Sequence, residues 1–535
     1  MTTVRFAPPP APGDPAPLRL SVLADLCRAS RVGPVTDPVV AGVTHDSRRV
    51  RPGDLFAALP GAHLHGVTRA AEAVAAGAVA VLTDVAGAGR DAGALGVPVL
   101  VVPDPRRELG PVAAAVHGHP GRDLVLLGVT GTNGKTTTTY LIDAALRRLG
   151  RTTGLVGTVV TRVGDRSWRS AMTTPDAPDL QALLATMRRE AAEVVTMECS
   201  SHALGQHRLG GLRFDVVAFT NLTREHLDHH GTMEEYFAAK ARLFTPELAR
   251  AGIVVVDDPW GRRLAAQARI PIVTLAGGAT GAAEDADADW RVLGEPGDDA
   301  FVLSGPAGDL PLRTPLPGEH NRIDTAVAAL ALLRLGFPPR RVVDALEGPV
   351  AVPGRMQSLD LGPGAPTAVV DFAHTPDAVA ATAGALRRRT TGRLVVTVSA
   401  GGDRDRGKRG PIGEAAVRSG AEVLVLTDDH PRTEDPAAIR ADVMRGIRAA
   451  CAAVRAAGGT PPLVVEVAEG RRRALDVALA AAGPTGTVAF LGLGPDRHQH
   501  IGPRGHLVPF VETDEIRAAW ARISAGAAEA PAQAS

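Results

Sequence analysis

The stretch Gly128-Val-Thr-Gly131-Thr-Asn-Gly134-Lys135-Thr136-Thr137 constrains the fold of this 535-residue chain more than any other. The apolar run 124–127 precedes it and reads as a buried strand. Residues 138–149 follow with apolar side chains on one face and read as a helix. A strand, a glycine-rich turn and a helix opening on Lys-Thr force a β–α unit whose turn presents backbone N–H groups. Those groups, with the positive end of the helix, suit nucleotide phosphates. Lys135 would reach the terminal phosphates and the Thr136 hydroxyl would hold Mg²⁺. The spacing is G-x-x-G-T-x-G-K-T, narrower than the general phosphate-loop pattern, because Val129 stands where that pattern wants its first glycine. The alternative, a glycine-rich turn without a ligand, gives Gly-Lys-Thr no purpose at a strand–helix junction.

A chain of this length exceeds one core, and two to four domains are expected. Short Val/Leu-rich runs alternate with Ala-rich helical stretches throughout, at 78–82, 99–102, 124–127, 194–197, 216–220, 253–256, 368–371, 394–398, 423–427 and 488–491. That alternation predicts an α/β chain with mainly parallel sheets. Boundaries are expected near 118–121 and 348–353. The Gly, Ala and acid-rich segment 276–289 reads as a surface excursion inside the middle domain. Residues 1–20 and 525–535 read as disordered extensions.

Lys+Arg and Asp+Glu both count 58, so the chain as a whole has no electrostatic preference for nucleic acid or an anionic membrane. Cys27, Cys199 and Cys451 are scattered, with neither zinc spacing nor a disulfide framework. A reducing, cytoplasmic setting is the expectation. No run of 18 apolar residues is present, so no membrane span is expected.

Two polar clusters follow predicted strands: Glu198-Cys-Ser200-Ser201-His202, and Asn221-Leu-Thr-Arg-Glu225-His226-Leu-Asp228-His229-His230. Ligands of open α/β sheets bind at the carboxyl ends of strands, so Glu198 and His226 are placed to meet a nucleotide's metal. The histidine cluster also suggests zinc, which would need three or four well-placed N or S ligands. Lys240, in Ala-Ala-Lys240-Ala-Arg, reads alone as an ordinary surface lysine.

These motifs, taken in order, resemble the Mur ligase family. The resemblance runs from about residue 34 to about 520. It rests on the phosphate loop, Met197-Glu198-x-Ser-Ser-His, Thr-Asn221-Leu-x-x-x-His226-Leu-Asp228-x-His230-Gly and Ala-Ala-Lys240-x-x-Leu-Phe. Asp46-Ser47-Arg48, Thr173-Thr174-Pro175, Pro353-Gly-Arg355-Met, Asp371-Phe-Ala-His374 and Gly401-Gly-Asp403-Arg404 support it further.

The resemblance implies a three-domain α/β architecture: a UDP-binding N-terminal domain (21–120), a central P-loop ATPase-like domain (121–348) and a Rossmann-like C-terminal acceptor domain (349–524). It implies an ATP-dependent amide ligase of peptidoglycan precursor synthesis. Such an enzyme activates the carboxylate of a UDP-N-acetylmuramoyl-dipeptide as an acyl phosphate and couples it to an amino acid. ATP and Mg²⁺ are the implied co-substrate and cofactor, and a monomer is expected.

By the same resemblance Gly131, Thr132, Asn133, Gly134, Lys135, Thr136 and Thr137 bind ATP phosphates. Asn321 contacts adenine; Arg355, Asp371 and His374 close the ATP site from the C-terminal domain. Thr136 and Glu198 hold one Mg²⁺ and His226 serves a second; Lys240, also among the metal residues, matches a lysine carbamylated in the family. Lys135, Lys240 and His226 are the catalytic candidates. Ser47, Thr173, Thr174, Ser200, Gln206 and Arg208 match contacts to the UDP-linked dipeptide. Arg404, Asp429, His430, Pro431, Arg432, Gly492 and Asp496 match the acceptor pocket.

The chain departs from the family pattern in that pocket. Asp429-His430-Pro431-Arg432 stands for Asp-Asn-Pro-Arg, and Gly492-Leu-Gly-Pro-Asp496 for Gly-Lys-Gly-His-Glu. Asp324 replaces a second Asn near the adenine, and Phe372 replaces Tyr. Two arginines favour an acceptor with a distal carboxylate, so diaminopimelate is expected over lysine. Asp496 is the expected receiver of the distal ammonium. The alternatives are a paralogue with another acceptor, a folylpolyglutamate-type ligase and a non-catalytic nucleotide-binding regulator. The N-terminal Asp46-Ser47-Arg48 block opposes the folate type, and the intact Lys135, Glu198, His226 and Lys240 oppose the regulator.

Overall fold

The computed structural model describes residues 18–61, 63–90, 92–277, 287–502 and 506–529. Three main sheets follow one another along the chain. The first has five strands in the order Ser30–Val32, Val99–Val101, Ala80–Thr83, Asp54–Ala57, Gly42–Thr44, all parallel except the edge strand Ser30–Val32.

The central sheet has eleven strands. Its middle is parallel, in the order Thr153–Val156, Val194–Glu198, Val125–Thr130, Val216–Phe219, Gly252–Val255, Ile272–Ala276, Trp290–Leu293. Apart from Trp290–Leu293, these strands are largely buried apolar runs because helices cover both faces. One face packs on the helices Lys135–Arg148 and Glu319–Arg334, around Leu127, Leu141, Leu275 and Leu330. The other packs around Leu126, Met197, Phe214, Phe219 and Phe244.

Antiparallel extensions continue the sheet at both ends, through Val160–Val163 and Arg166–Arg169 on one side and Ala300–Ser304 and Leu310–Arg313 on the other. The expectation of mainly parallel pairing holds for the sheet's middle and not for these edges. Their strands are short, and in Leu310–Arg313, as in the adjoining Trp290–Leu293, alternate residues are buried. That pattern marks strands with one wet face.

The third sheet has six strands in the order Gln357–Leu359, Thr367–Asp371, Thr487–Leu491, Leu394–Val398, Val423–Leu426, Leu463–Glu466, parallel apart from Gln357–Leu359. Each of the ten predicted apolar runs carries a strand within a residue or three of its expected bounds. The terminal helix Glu512–Glu529 corrects the expectation of disorder from 525, since its backbone continues five residues into that segment. Leu18–Arg19 is likewise a strand, paired with Val39–Val40, inside the stretch expected to be disordered. The rest of the two expected tails, residues 1–17 and 530–535, and most of the expected excursion, 278–286, lie outside the described residues.

Candidate active site

The carboxyl ends of Val125–Thr130, Val194–Glu198 and Val216–Phe219 lie side by side, and the C-terminal domain covers them. Between the two domains is a cavity of ≈ 1170 Å³. The phosphate loop forms its floor. The loop turns at Gly131 and Gly134, both with positive φ (150° and 87°), and Gly134 caps the helix Lys135–Arg148. A Cβ at Gly131 would collide with the Thr220 hydroxyl, and one at Gly134 with the Asp324 carboxylate. Glycine is therefore required for close approach as well as for conformation.

Lys135 Nζ donates to the carbonyls of Gly131 and Thr132, both at 2.9 Å. Thr136 Oγ1 donates to Glu198 Oε1 at 3.0 Å. Glu198 is fully buried, and its oxygens also accept from Thr158 N at 2.8 Å and Thr158 Oγ1 at 3.0 Å. Lys240 corrects the reading of its segment taken alone. It is 1% exposed, donates from Nζ to the Gly131 carbonyl at 2.7 Å and lies 4.7 Å over the Tyr236 ring. Burial, reinforced by the Lys135 charge, holds its amine well below the usual lysine range.

His226 takes a left-handed conformation (φ 57°) at the start of the short helix Leu227–His230. Burial and then the neighbouring His202, Lys135 and Lys240 keep it neutral, far below the usual histidine range. His202 stacks on His229 at 4.1 Å, and burial pushes both His202 and His230 down to about 4. Among the described residues no group of three His, Cys, Asp or Glu side chains is arranged to hold an ion. The histidine cluster is a set of packed rings, of which burial keeps His202, His226 and His230 neutral.

From the C-terminal domain, Arg355 reaches across to donate to Thr136 Oγ1 at 3.3 Å, and its guanidinium lies 4.8 Å over the Phe372 ring. The ring alone makes that platform, so the tyrosine hydroxyl of the family pattern is not needed for it. Asp371 accepts from Met356 N at 2.7 Å and Ala373 N at 2.8 Å, fixing the loops that carry Arg355 and His374. His374 approaches the Phe372 carbonyl through Nδ1 at 2.7 Å.

The far end of the cavity holds Arg404, Asp429, His430, Arg432, Gly492 and Asp496. The His500 N–H donates to His430 Nδ1 at 3.1 Å, which leaves Nε2–H as the donor to Asp496 Oδ2 at 3.0 Å. Arg169 of the central sheet stands 3.5 Å from the other Asp496 oxygen. Asp496, expected to be free for an incoming ammonium, is therefore already engaged. Asp429 is 6% exposed, and its Oδ1 has no hydrogen-bond partner among the described residues.

Residues 39–117 match the Mur ligase family catalytic domain, 129–333 the Mur ligase middle domain, and 354–494 the Mur ligase glutamate ligase domain. A UDP-N-acetylmuramoyl-L-alanyl-D-glutamate–2,6-diaminopimelate ligase of Streptomyces coelicolor is 46% identical over 515 residues, covering 95% of this chain and 98% of its own. The chain belongs to the Mur ligase family. A UDP-N-acetylmuramyl-tripeptide synthetase of Leifsonia xyli is 42% identical over 490 residues, covering 90% of this chain and 91% of its own. A solved diaminopimelate ligase superposes with a TM-score of 0.61 at 30% identity, covering 91% of this chain and 96% of that one. Like other members, this Mur ligase is an ATP-dependent ligase of mixed α/β, three-domain architecture.

Most of the residues marked from sequence line this one cavity; Gly131, Ser47, Gln206 and Pro431 do not. Ser47 opens a short turn in the N-terminal domain. Gln206 sits behind the wall and accepts from Arg208 at 2.8 Å. Sequence reasoning gave no role to Thr158, Glu225 or Lys408, all of which line this Mur ligase's cavity. The adjacency of Glu225 to His226 was the available signal for one of them.

Asp324 lies against the phosphate loop and accepts from Thr138 Oγ1 at 3.1 Å. Burial pushes its carboxyl up to about 8, against the opposing pull of Thr138, Arg355 and Lys135. The folded state then holds a proton that the unfolded chain releases near 3.8. The stability Asp324 contributes is complete below that value and is lost as pH rises to about 8. Asp324→Asn keeps the shape without the titration. Its melting temperature should gain on the parent's between pH 5 and pH 8; a difference that stays flat over that range would refute the assignment.

Proposed function

We propose that this ligase couples an amino acid to UDP-N-acetylmuramoyl-L-alanyl-D-glutamate at the expense of ATP, with diaminopimelate as the acceptor. One observation carries the reading: a single cavity has the phosphate loop at one end and, at the other, two arginines and the buried Asp429, one of whose carboxylate oxygens accepts no hydrogen bond. The relatives whose names specify diaminopimelate span nearly the whole chain, which supports the same choice.

The chemistry follows from the residues. A carboxylate oxygen of the dipeptide attacks the γ-phosphorus and ADP leaves. The acceptor's neutral amine then attacks the acyl carbon, phosphate leaves, and the amine's proton is lost. Lys135, Arg355 and the loop N–H groups offset the phosphate charge as it moves. Magnesium, when bound, would neutralise phosphate oxygens. The Thr136 hydroxyl and Glu198 carboxylate are the hard oxygen donors it favours, with substrate phosphates supplying the rest. Neutral His226 and a carbamylated Lys240 would complete that set. Thr173, Thr174, Ser200 and Arg208 hold the dipeptide, Gln206 orienting Arg208, while Ser47 faces the uridine end and Asn321 the adenine.

At the acceptor end Arg404 and Arg432 receive the distal carboxylate. Arg432 is crowded there: burial and then Arg404 lower its affinity for a proton, so an anion between the two relieves both. Asp429 Oδ1, which accepts no hydrogen bond and has His430 Nε2 3.8 Å away, is the receiver for the distal ammonium, since His430 donates to Asp496. Lysine carries only a cation at that end and would leave both guanidinium groups unpaired.

The test is phosphate release, dependent on both UDP-linked dipeptide and amino acid, across diaminopimelate isomers, lysine and ornithine. Diaminopimelate should give the highest kcat/KM. Arg432→Ala should raise the acceptor's KM on the order of a hundred-fold while leaving that for ATP within a few-fold, the loss of a charge-assisted pair. An enzyme that couples lysine and ignores every diaminopimelate isomer would refute this reading.

A further inference from the structure

The two domains that enclose the cavity meet through opposite charges that neither the phosphate nor the acceptor chemistry employs. Glu225, on the loop after the strand Val216–Phe219, is 4% exposed; Lys408, ahead of the helix Arg409–Arg418, is 3% exposed. Lys408 Nζ lies 3.0 Å from each Glu225 carboxylate oxygen. One residue before Glu225, Arg224 makes a two-pronged bond to Asp405, at 2.8 and 3.1 Å. The signs are reversed between the rungs: plus then minus on the central domain, minus then plus on the C-terminal one. A docking that exchanged partners would set Arg224 against Lys408 and Glu225 against Asp405, both repulsive.

The inner rung also touches the reactive centre. Glu225 Oε1 is 3.8 Å from His226 Nδ1 and 3.9 Å from His374 Nε2, one histidine from each domain. Neither charge of a buried pair tolerates burial alone, because desolvation is compensated only by the partner. The closed docking therefore tolerates both charges or neither, and not one alone. We propose that Glu225–Lys408, flanked by Arg224–Asp405, is a charge-matched latch that sets the register of the C-terminal domain over the phosphate loop. Glu225 and Lys408 are thereby positioning residues for ligation. Their pairing brings Arg355 and His374 to the phosphates, and its loss affects the rate through the docked population and not through a missing contact to substrate.

That distinction is measurable by a double-mutant cycle on the full chain. Glu225→Gln and Lys408→Gln should each lower kcat on the order of a hundred-fold, the effect of stranding one buried charge. The pair of substitutions together should recover at least about tenfold of that loss, since no charge is then stranded. X-ray scattering with a non-hydrolysable ATP analogue and UDP should give a larger radius of gyration for each single variant than for the parent, and a smaller one again for the double variant. A double variant as slow as the product of the singles would overturn the latch and make Lys408 a catalytic group. Single variants as compact as the parent would also overturn it. If an inner-rung variant melts early, the outer rung, whose Arg224 is exposed, carries the test. Arg224→Asp or Asp405→Arg alone should slow turnover and the joint swap should restore it; a swap that restores nothing refutes the proposal. The scattering arm needs no acceptor, so it separates failure of the latch from failure of the assigned amino acid.

Discussion

Lys135→Ala will abolish ATP-dependent ligation, with a loss on the order of 10³-fold in kcat, while the fold survives. The side chain packs in no apolar cluster and bonds only within its own loop. Its ammonium bonds two carbonyls of its own loop, and burial holds it below the usual lysine range despite the opposing pull of Glu198. A cation resting on neutral carbonyls in a desolvated site is poised for stronger partners, and phosphate oxygens are such partners. Removing it costs two modest hydrogen bonds, about 1 kcal/mol each, so the melting temperature should shift little. Binding of a fluorescent ATP analogue and single-turnover phosphate release would measure the loss. Near-parental turnover in a folded Lys135→Ala protein would refute the assignment of the phosphate site.

The phosphate loop was legible in sequence because its chemistry is local. Glycines at two turns, then Lys-Thr, dictate the strand–turn–helix without help from distant residues. The parallel strands were legible for a related reason: burial on both faces writes a continuous apolar run, as in Leu394–Val398. The antiparallel edges were not. Val160–Val163 and Arg166–Arg169 are four residues each, and the second is wholly exposed, so its pattern is that of a loop.

Charged residues were the least legible. Lys240 among alanines, or Lys408 among arginines, carries no mark of its burial. Each is buried by partners far away in the chain, the Gly131 carbonyl for one and Glu225 for the other. The acceptor pocket shows the same limit. Shortening Glu to Asp at 496 and exchanging Asn for His at 430 read as two separate losses. In space they are one substitution, because His430 Nε2 reaches the shorter carboxylate at 3.0 Å. His430 also lies 3.8 Å from Asp429 Oδ1, so one imidazole links the two carboxylates.

The largest consequence of buried charge concerns Lys240, for which Lys240→Ala should lower kcat by roughly 10²- to 10³-fold. Its amine sits in a pocket with one carbonyl and one aromatic face, and its proton affinity is depressed by burial and by Lys135. A neutral, desolvated amine is a nucleophile. Attack of its lone pair on carbon dioxide would form an N–C bond, release one amine proton and leave a carbamate, an anion in place of a neutral amine. An anion there would be matched by the Lys135 ammonium and would be a hard oxygen donor in the cavity that Thr136 and Glu198 also line. Two measurements follow. Parent enzyme equilibrated with ¹³C-labelled carbon dioxide should show a carbamate resonance that Lys240→Ala lacks, and short carboxylic acids should partly restore the variant's turnover. Stability supplies an independent check with a definite sign. Because the folded amine loses its proton well below 10.5, the unfolded chain binds more protons in the intervening range, and the burial penalty falls as pH rises. Lys240→Met should therefore melt above the parent at pH 6, with the advantage shrinking toward alkaline pH. Turnover indifferent to carbon dioxide, together with a Lys240→Ala variant that ligates at the parental rate, would show that the buried lysine serves packing alone.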